Sequence, residues 1–281
     1  MVNESVGNPP KKLLLIDGHA VAFYSWFTSY PNEVIPGFFG MLENSIRKHT
    51  PTHVIVTFDP PPPTFRHKLY PCYKANRPPA PKKLLEDCEL VRERLELLGV
   101  ISCTVDGYEA DDLLGTLCHT ASGSGFETTI LTSDLDLLQL VTPITQVEVF
   151  SQYWATRLFG PTAAKVRFGG IEPKNIPDYK ALVGDKSDNL PGVPGIGEVS
   201  AEAVLGRFAD LDNTYKHLGE VSELPIRGAK RVSKLLSDHR AQAFLMRTLT
   251  TIVCNVPLAV DLHEARFSDS SAQISSNDFK A

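Results

Sequence analysis

The amino-acid sequence predicts an α/β fold, with a parallel sheet covered by helices and a purely helical region after it. Short aliphatic or β-branched runs alternate with helical patterns in the first part of the chain, and this alternation is typical of parallel, doubly covered sheets. From about residue 176 onward the strand signals fade and helical patterns take over. The length of 281 residues suits one large domain, or a core domain with a smaller one appended.

The individual elements are predicted in the following order along the chain. Four runs predict strands, at residues 12–16, 53–58, 100–105 and 128–131. Apolar residues of the 83–98 segment recur on one broad face, which predicts an amphipathic helix there. Further helices are predicted at residues 178–183, 199–208 and 241–252. The polar ends, residues 1–10 and 268–281, are expected to be disordered tails.

The charge balance is acidic overall but basic in one long segment. The chain holds 28 Lys and Arg against 33 Asp and Glu, a net charge of -5, which argues against a basic, histone-like nucleic-acid binder. Residues 60–83, however, contain eight prolines, six Lys or Arg and no acid. Such a segment cannot be a central strand or a continuous helix. It is either a functional cationic excursion or a solvated proline-rich loop.

Several classes of protein are excluded or disfavoured by what the sequence lacks. No apolar run approaches the roughly 18 residues of a membrane helix. The five cysteines are odd in number and show no C-x-x-C spacing, so we expect reduced thiols, a cytoplasmic location and no zinc site. There is also no P-loop, no dinucleotide-binding G-x-G-x-x-G and no G-x-S-x-G nucleophile elbow.

Carboxylates follow each predicted strand, and two more open the helical region. Because the carboxyl ends of parallel strands meet at one edge of a sheet, we expect these acids to converge there. Crowded carboxylates repel unless cations neutralise them, and Mg²⁺ or Mn²⁺ prefer such oxygen ligands. Each acid alone is also explained as a helix N-terminal or turn residue. The set consists of Asp17, Asp59, Glu109, Asp111, Asp112, Asp134, Asp136, Asp185 and Asp188.

A glycine-rich turn lies between two predicted helices, at residues 189–197. Its glycines, Gly192, Gly195 and Gly197, allow a ligand to approach the backbone closely. The helix that follows begins with free N–H groups, for which phosphate is the favoured ligand. The alternative is a tight helix–helix turn that binds nothing.

Five motifs together resemble a known family. LLLIDGHA, TFRHKLYPCYKANRPPAP, GYEADD, TSDLD and GDKSDNLPGVPGIG occur in this order and resemble the bacterial 5′→3′ exonuclease domain of DNA polymerase I, within the flap endonuclease family. The resemblance covers about residues 11–267 and implies a stand-alone form. It implies a PIN-like (resolvase-like) nuclease core over 11–175, with an arch at about 60–98, and a helix-hairpin-helix DNA-binding region over 176–267.

The same resemblance assigns roles to individual residues. The nine acids would bind two divalent cations, Mg²⁺ or Mn²⁺, the first five around one ion and the last four around the other. Lys74 and Arg77 would reach the scissile phosphate. The glycine-rich turn at residues 189–197 would be the hairpin of the helix-hairpin-helix region. Its glycines would hold the backbone of duplex DNA, with a K⁺ ion beside them. From the basic and aromatic residues of the arch and the glycines of the hairpin, we also expect contacts to DNA, with packing under the arch as the alternative for Tyr73. The expected DNA-binding residues are Arg66, Tyr70, Tyr73, Lys82, Lys83, Gly192, Gly195 and Gly197.

Three positions depart from the family pattern, because Tyr24, Leu135 and Val199 stand where cations are usual. The resemblance implies a monomeric, metal-dependent 5′→3′ exonuclease or 5′-flap endonuclease acting on DNA, and it identifies no polymerase or ligase partner. Because of these departures, a second interpretation of the function is a structure-specific nucleic-acid-binding protein with weak catalysis. A PIN-like ribonuclease is the third interpretation.

Overall fold

The computed structural model describes residues 11–29, 31–153 and 155–267, and the predicted tails lie outside them. A six-stranded sheet with the order β3-β2-β1-β4-β5-β6 forms the centre. Five strands are parallel and β6 is antiparallel to β5, which confirms the predicted fold class. The strands are β1 Lys11–Asp17, β2 His53–Thr57, β3 Ile101–Cys103, β4 Phe126–Thr132, β5 Thr145–Val149 and β6 Arg157–Phe159.

Helices cover both faces of the sheet because alternate strand residues are apolar on both sides. Leu14, Ile16, Val54 and Val56 face one core, against helices α1 Gly18–Thr28, α2 Ile35–His49 and α4 Lys82–Leu97. The opposite face packs on α5 Ala110–Gly123 and on the C-terminal helices.

The C-terminal region is helical, as predicted, and shares its core with the sheet. The same cluster of buried side chains includes Ile130 of β4 and Leu182, Val204 and Met246 of the C-terminal helices. The region therefore holds a fixed position against the carboxyl edge of the sheet. Its helices are α6 Pro161–Arg167, α7 Ile176–Val183, α8 Glu198–Phe208, α9 Leu211–Lys216, α10 Ala229–Asp238 and α11 Arg240–Thr250.

The segment predicted as a proline-rich excursion has its own local structure. It contains a short helix, α3 Phe65–Leu69, and a turn at residues 71–77 before α4 begins. Helix α4 is amphipathic, and it buries Leu84, Cys88, Val91 and Leu95 in the core that covers α1 and α2. The second half of the 60–98 segment is therefore packed along one face on the core between the sheet and helices α1 and α2.

The strand order places a crevice between β1 and β4. Chain connections leave in opposite directions from this pair, so loops diverge above its carboxyl edge and leave room for a ligand. Among the described residues, no helix has the length and apolar character needed to span a membrane.

Candidate active site

The strand ends bring acidic side chains to the carboxyl edge of the sheet. Asp17 is the last residue of β1, and Asp59 lies two residues beyond β2. Glu109 and Asp111 stand at the start of α5, and Asp134 follows β4. This convergence follows from the parallel topology, because every strand of the β3-β2-β1-β4 order ends on the same side.

A cleft of about 980 Å³ opens at this edge. Three predicted cations, Lys74, Arg77 and Lys82, also line the cleft. Aromatic and proline side chains form part of the remaining wall. Five of the nine predicted acids line it, namely Asp17, Asp59, Glu109, Asp111 and Asp134.

Asp17 is held in place by hydrogen bonds from neutral groups, and no cationic side chain of the described residues contacts it. Its carboxylate accepts hydrogen bonds from the Ala20 N–H at 3.0 Å and from the Thr132 hydroxyl at 2.9 Å. Burial raises the pKa of Asp17 to about 7, with repulsion from Asp59 and Asp134 adding to the effect. The carboxylate is therefore costly to keep ionised in the absence of an external cation.

Asp111 and Asp134 are in a similar electrostatic situation. Burial raises the pKa of Asp111 well above its ordinary value, and repulsion from Asp134 and Asp17 raises it further. Asp134 caps a 3-10 helix by accepting a hydrogen bond from the Asp136 N–H at 2.7 Å. It also raises the pKa of Asp136, so Asp134 interacts with acids of both predicted metal sets.

Glu109 pairs with the predicted catalytic lysine. Lys74 Nζ lies 3.0 Å from Glu109 Oε2, and the Tyr73 hydroxyl donates to the same oxygen at 3.0 Å. Lys74 adopts a left-handed backbone conformation with φ of +54°, which is uncommon for a residue with a side chain. The turn that carries Lys74 is thus fixed by its surroundings in a conformation that aims the ammonium at the acids.

Asp188 belongs to the loop after α7 and pairs with the second predicted catalytic cation. Arg77 Nη2 donates to Asp188 Oδ1 at 2.7 Å, and the Tyr73 hydroxyl oxygen lies 3.0 Å from Asp188 Oδ2, so its single hydrogen is shared between Glu109 and Asp188. The Lys74 N–H donates to the Asp188 carbonyl at 3.0 Å. The 71–77 turn therefore docks directly on the 185–189 loop of the helical region.

Asp136 and Asp185 share one cation that the sequence did not point to. Lys180 of α7 donates to Asp185 Oδ2 at 2.5 Å and makes an ion pair with Asp136. Asp185 also accepts hydrogen bonds from the N–H and hydroxyl of Ser187. These interactions, chiefly with Lys180, lower the pKa of Asp185 to about 2 although burial acts against them.

Asp112 is a fully buried acid that faces away from the cleft. Arg66 donates to both of its carboxylate oxygens, at 2.7 and 2.8 Å. The same guanidinium donates to the carbonyls of Leu249 and Thr251, at the end of α11 and just beyond it. With Arg66 at 3 % and Asp112 at 0 % exposure, neither group reaches solvent. A phosphate or a metal ion would have to break this pair to contact them.

The cleft acids fit a divalent ion by their chemistry. Carboxylate oxygens are the ligands that hard divalent ions prefer, and burial, together with repulsion between the acids, raises the pKa values of Asp17 and Asp111, so a bound cation would favour their ionised forms. Within residues 11–29, 31–153 and 155–267, no three Asp, Glu, His or Cys side chains already converge on one ion-sized point. Mutually repelling carboxylates turn toward N–H groups and cationic side chains instead, as the pairs above illustrate.

The other predicted DNA-binding residues of the arch are placed unequally. Lys82 and Lys83 lie in the first turn of α4 with exposed ammonium groups that pair with Glu86 and Asp87. Tyr70 is partly buried and packs on the core that the sheet shares with α5 and the C-terminal helices. Tyr73 is buried beneath the turn, with its hydroxyl bonded to two acids, so its ring is not presented to a base.

The three hairpin glycines differ in what they do. A Cβ at Gly192 would lie 2.3 Å from the Gly184 nitrogen, and φ there is +64°, so close backbone packing requires glycine. Gly195 also has a positive φ, of +86°, and is exposed. Gly197 is exposed and precedes α8 directly, with open space around it.

Four further residues come to the site that the motifs did not single out. Phe23 and His19, on α1, line the cleft, and the His19 ring accepts a hydrogen bond from the Asp59 N–H at 2.9 Å. Lys180 is the third. Arg231 of α10 is the fourth, since a side chain at Gly195 would come within 3.4 Å of its guanidinium. The basic run at 227–234 was the available signal for Arg231.

The three departures from the family pattern lie at different depths. Tyr24 packs edge-on against Phe150 at a centroid distance of 5.0 Å. Leu135 packs on the main core from the start of the 3-10 helix. Val199 is 75 % exposed in the first turn of α8, beside the hairpin.

Comparison with known protein families covers nearly the whole chain. Residues 12–169 match the family described as 5′-3′ exonuclease, N-terminal resolvase-like domain. Residues 171–273 match the family described as 5′-3′ exonuclease, C-terminal SAM fold.

Curated relatives match over a part of their own length. The chain is 34 % identical over 266 residues to DNA polymerase I of Bacillus caldotenax, covering 92 % of this chain and 30 % of the relative. It is 36 % identical over 269 residues to a thermostable DNA polymerase I of Thermus thermophilus, covering 93 % and 31 %. The chain thus spans about a third of the length of these relatives.

Solved structures share the fold at low sequence identity. The T5 D15 protein co-crystallised with metal ions superposes with a TM-score of 0.71 at 18 % identity, covering 86 % of this chain and 90 % of that one. The catalytic core of Rad2 in complex with a DNA substrate gives 0.58 at 17 % identity, covering 92 % and 82 %.

Proposed function

Because the chain belongs to the 5′-3′ exonuclease family, we propose that it hydrolyses DNA phosphodiester bonds beside a free 5′ end or a 5′ flap, with divalent metal ions. One observation carries the proposal: five of the nine predicted acids and three of the predicted lysines and arginines line a single cleft at the topological switch point of the sheet. Acids that bind metal and cations that bind phosphate are the two requirements of metal-assisted phosphodiester hydrolysis.

The cleft acids would hold the metal. Asp17, Asp59, Glu109, Asp111 and Asp134 line the cleft together. Asp136, Asp185 and Asp188 would complete a second ion's environment, as the family resemblance implies. Divalent ions bound to such acids act as Lewis acids that activate water and offset the charge developing on the phosphate. Mg²⁺ and Mn²⁺ both suit an all-oxygen donor set.

Lys74 and Arg77 would bind the non-bridging oxygens of the scissile phosphate. Both side chains line the cleft, and each pairs with an acid at its rim, Glu109 and Asp188 respectively. In these pairs the cations are positioned before a substrate arrives, so little reorganisation is required during the reaction. Their positive charge also offsets part of the repulsion between substrate phosphate and cleft acids.

The apolar part of the cleft would receive an unpaired nucleotide. Phe23 and Leu85, both accessible to solvent, line the cleft together with its acids. An aromatic ring accepts any base by stacking, at about 1–3 kcal/mol per base. We therefore expect weak sequence preference and a requirement for unpaired or easily unpaired nucleotides.

The hairpin would grip the backbone of the duplex next to the cleft. Gly195 and Gly197 are exposed and precede the N-terminus of α8, where N–H groups favour phosphate. Arg231 adds a cation beside Gly195, at a position that complements the uncharged Val199. A K⁺ ion at this hairpin stays a prediction, as do the division of the chain at about residue 175, the monomeric state and the cytoplasmic location.

The proposal is tested by cleavage assays on matched substrates. Labelled 5′-flap DNA, the same flap in RNA and a blunt DNA duplex are incubated with Mg²⁺, Mn²⁺ or EDTA. We expect cleavage of the flap DNA with either metal and none in EDTA. The variant Asp111→Asn should be inactive, whereas Asp106→Asn, an exposed acid five residues earlier, should cleave as the wild type does.

Other outcomes would point to the alternative functions. Specific binding of the flap without cleavage under either metal would overturn the nuclease proposal and leave a nucleic-acid-binding protein. Cleavage of the RNA flap with the DNA flap intact would identify a ribonuclease. Products that are single nucleotides or short flaps separate exonuclease from flap-endonuclease cleavage.

A further inference from the structure

Lys180 is a cation placed within the acids of the second predicted metal set. Its ammonium contacts carboxylates of both Asp136 and Asp185 and is only 14 % exposed. We infer that Lys180 is the resident counter-ion of this acid pair, and that a divalent ion binds there only by displacing the ammonium. The inference rests on the proposed function, because it takes Asp136 and Asp185 as metal ligands.

The ammonium brings a positive charge into direct contact with both carboxylates of the pair. A divalent ion arriving at these acids therefore meets a site whose negative charge is already partly compensated. The ammonium already occupies one oxygen of each carboxylate, Asp136 Oδ1 and Asp185 Oδ2, and a divalent ion bound to those same oxygens would be strongly repelled by it.

Two acids of the first predicted set, Asp17 and Asp111, have no such partner among the described residues. Asp17 accepts hydrogen bonds only from neutral donors, the Ala20 N–H and the Thr132 hydroxyl. Asp111 has Lys74 as a favourable neighbour, but this lysine contacts Glu109 and not Asp111. The two sets consequently differ in affinity because the charges around them differ, and Lys180 weakens the second set.

The position of Lys180 allows the ammonium to leave. The residue lies in the last turn of α7, whose backbone is fixed by the Gly184 N–H donating to the Lys180 carbonyl at 2.8 Å. The four-carbon side chain has several rotatable bonds, and 14 % of its surface is exposed, so rotation about these bonds would carry the ammonium into solvent. A divalent ion can therefore replace it without a change in the fold.

Metal binding in the absence of DNA tests the inference. Free Mn²⁺ is followed by electron paramagnetic resonance as it is titrated into wild type, Lys180→Gln, Lys180→Arg and Lys186→Gln. Lys186 is exposed and lies next to Asp185, so the last variant controls for the same loss of charge nearby. We expect one tighter and one weaker site in the wild type. In Lys180→Gln the weaker site should tighten by about tenfold or more, and by no more than about twofold in Lys180→Arg and Lys186→Gln.

The outcomes separate this inference from the proposed function. A wild type that binds no Mn²⁺ would overturn both. A wild type that binds Mn²⁺, with Lys180→Gln unchanged or weaker at the second site, would overturn only the role of Lys180. Equal tightening in Lys180→Gln and Lys186→Gln would also overturn it, because the effect would then be long-range charge.

A measurement on the wild type covers the case in which the Lys180→Gln variant fails to fold. The ¹⁵N signal of the Lys180 ammonium, identified by its loss in Lys180→Arg, is followed during a Mg²⁺ titration. We expect it to shift in the second binding step and not in the first. A signal that stays constant up to saturating Mg²⁺ would overturn the inference.

Discussion

Asp111 and Asp112 are consecutive residues of α5, and their environments are opposite. Asp112 is fully buried and accepts two hydrogen bonds from Arg66, at 2.7 and 2.8 Å. Asp111 lines the cleft, where burial raises its pKa and repulsion from Asp134 and Asp17 raises it further. An acid in a motif is therefore not enough to define a ligand. Its partner decides whether the carboxylate holds the fold together or is available to an external cation.

The same contrast divides the larger set of acids. Asp17 and Asp111 line the cleft without a cation in contact, and their raised pKa values report a cost in free energy. Asp112, Asp136, Asp185 and Asp188 each contact a cation of the protein. We expect removal of a cleft acid to abolish activity while favouring the fold, and removal of a paired acid to destabilise the fold.

The largest expected effect is on catalysis by Asp111→Asn. The substitution removes a cleft carboxylate and keeps its shape, so we expect the rate of flap cleavage to fall by about 10³-fold or more. Single-turnover cleavage at saturating enzyme measures the loss without interference from binding. A residual rate within tenfold of wild type, with Asp106→Asn as the reference, would contradict the role of the cleft acids.

Breaking the Arg66–Asp112 pair should mainly lower the free energy of unfolding, whereas Asp111→Asn mainly lowers the rate of cleavage. Arg66→Met leaves Asp112 as an uncompensated buried charge, and breaking such a pair costs about 3–5 kcal/mol. Urea unfolding followed by circular dichroism measures the free energy of unfolding. Asp112→Asn should also destabilise, while Asp111→Asn should not. Equal loss of stability in Asp111→Asn and Asp112→Asn would remove the distinction between the two acids.

Lys74 combines the two situations, because its ammonium pairs with Glu109 and its side chain also lines the cleft. We expect Lys74→Met to lower the single-turnover rate by about 10²-fold while the Kd for flap DNA changes little, since the ammonium acts on the charge of the transition state. Lys68→Met, an exposed lysine of the same segment, is the control. A defect confined to Kd would assign Lys74 to binding alone.

The pH dependence of stability is a smaller effect that reports on Asp17. Its pKa in the folded protein is about 7 against an ordinary value of 3.8, so between these two values the folded state binds more protons than the unfolded state. The free energy of unfolding in EDTA should therefore fall as pH rises through this window. Relative to Asp17→Asn, the fall should reach at least about 1.4 kcal/mol, the equivalent of one pKa unit. Parallel pH profiles for the two proteins would show that the carboxylate of Asp17 is not disfavoured.

Much of the fold was predictable because its signals are local. Each of the four predicted strands is present within a few residues of its expected limits, since buried parallel strands are short apolar runs. The family resemblance of the motifs is confirmed by the family matches. Strands β5 and β6 were not predicted, because TQVEV carries polar residues and RLF has only three.

The pairing of charges was not predictable, because it depends on contacts between distant segments. Arg66 and Asp112 are 46 positions apart, and Lys180 and Asp136 are 44 apart. No spacing rule in the sequence indicates which cation reaches which acid. For the same reason the sequence left open whether Tyr73 stacks on a base or packs under the arch, and no signal indicated that Arg66 pairs with Asp112; in three dimensions both side chains are buried.

The most direct test of the cleft as a divalent-metal site is the change in Tm that Mg²⁺ causes in wild type and in Asp111→Asn. Ligands that bind only the folded state raise Tm. Asn at position 111 removes the repulsion between this side chain and Asp17 and Asp134, which in wild type destabilises the fold until Mg²⁺ binds. We expect Mg²⁺ to raise the Tm of wild type by several degrees. Asp111→Asn should have a higher Tm than wild type in EDTA, and Mg²⁺ should raise it little. The same gain in both proteins, from the same starting Tm, would contradict this expectation.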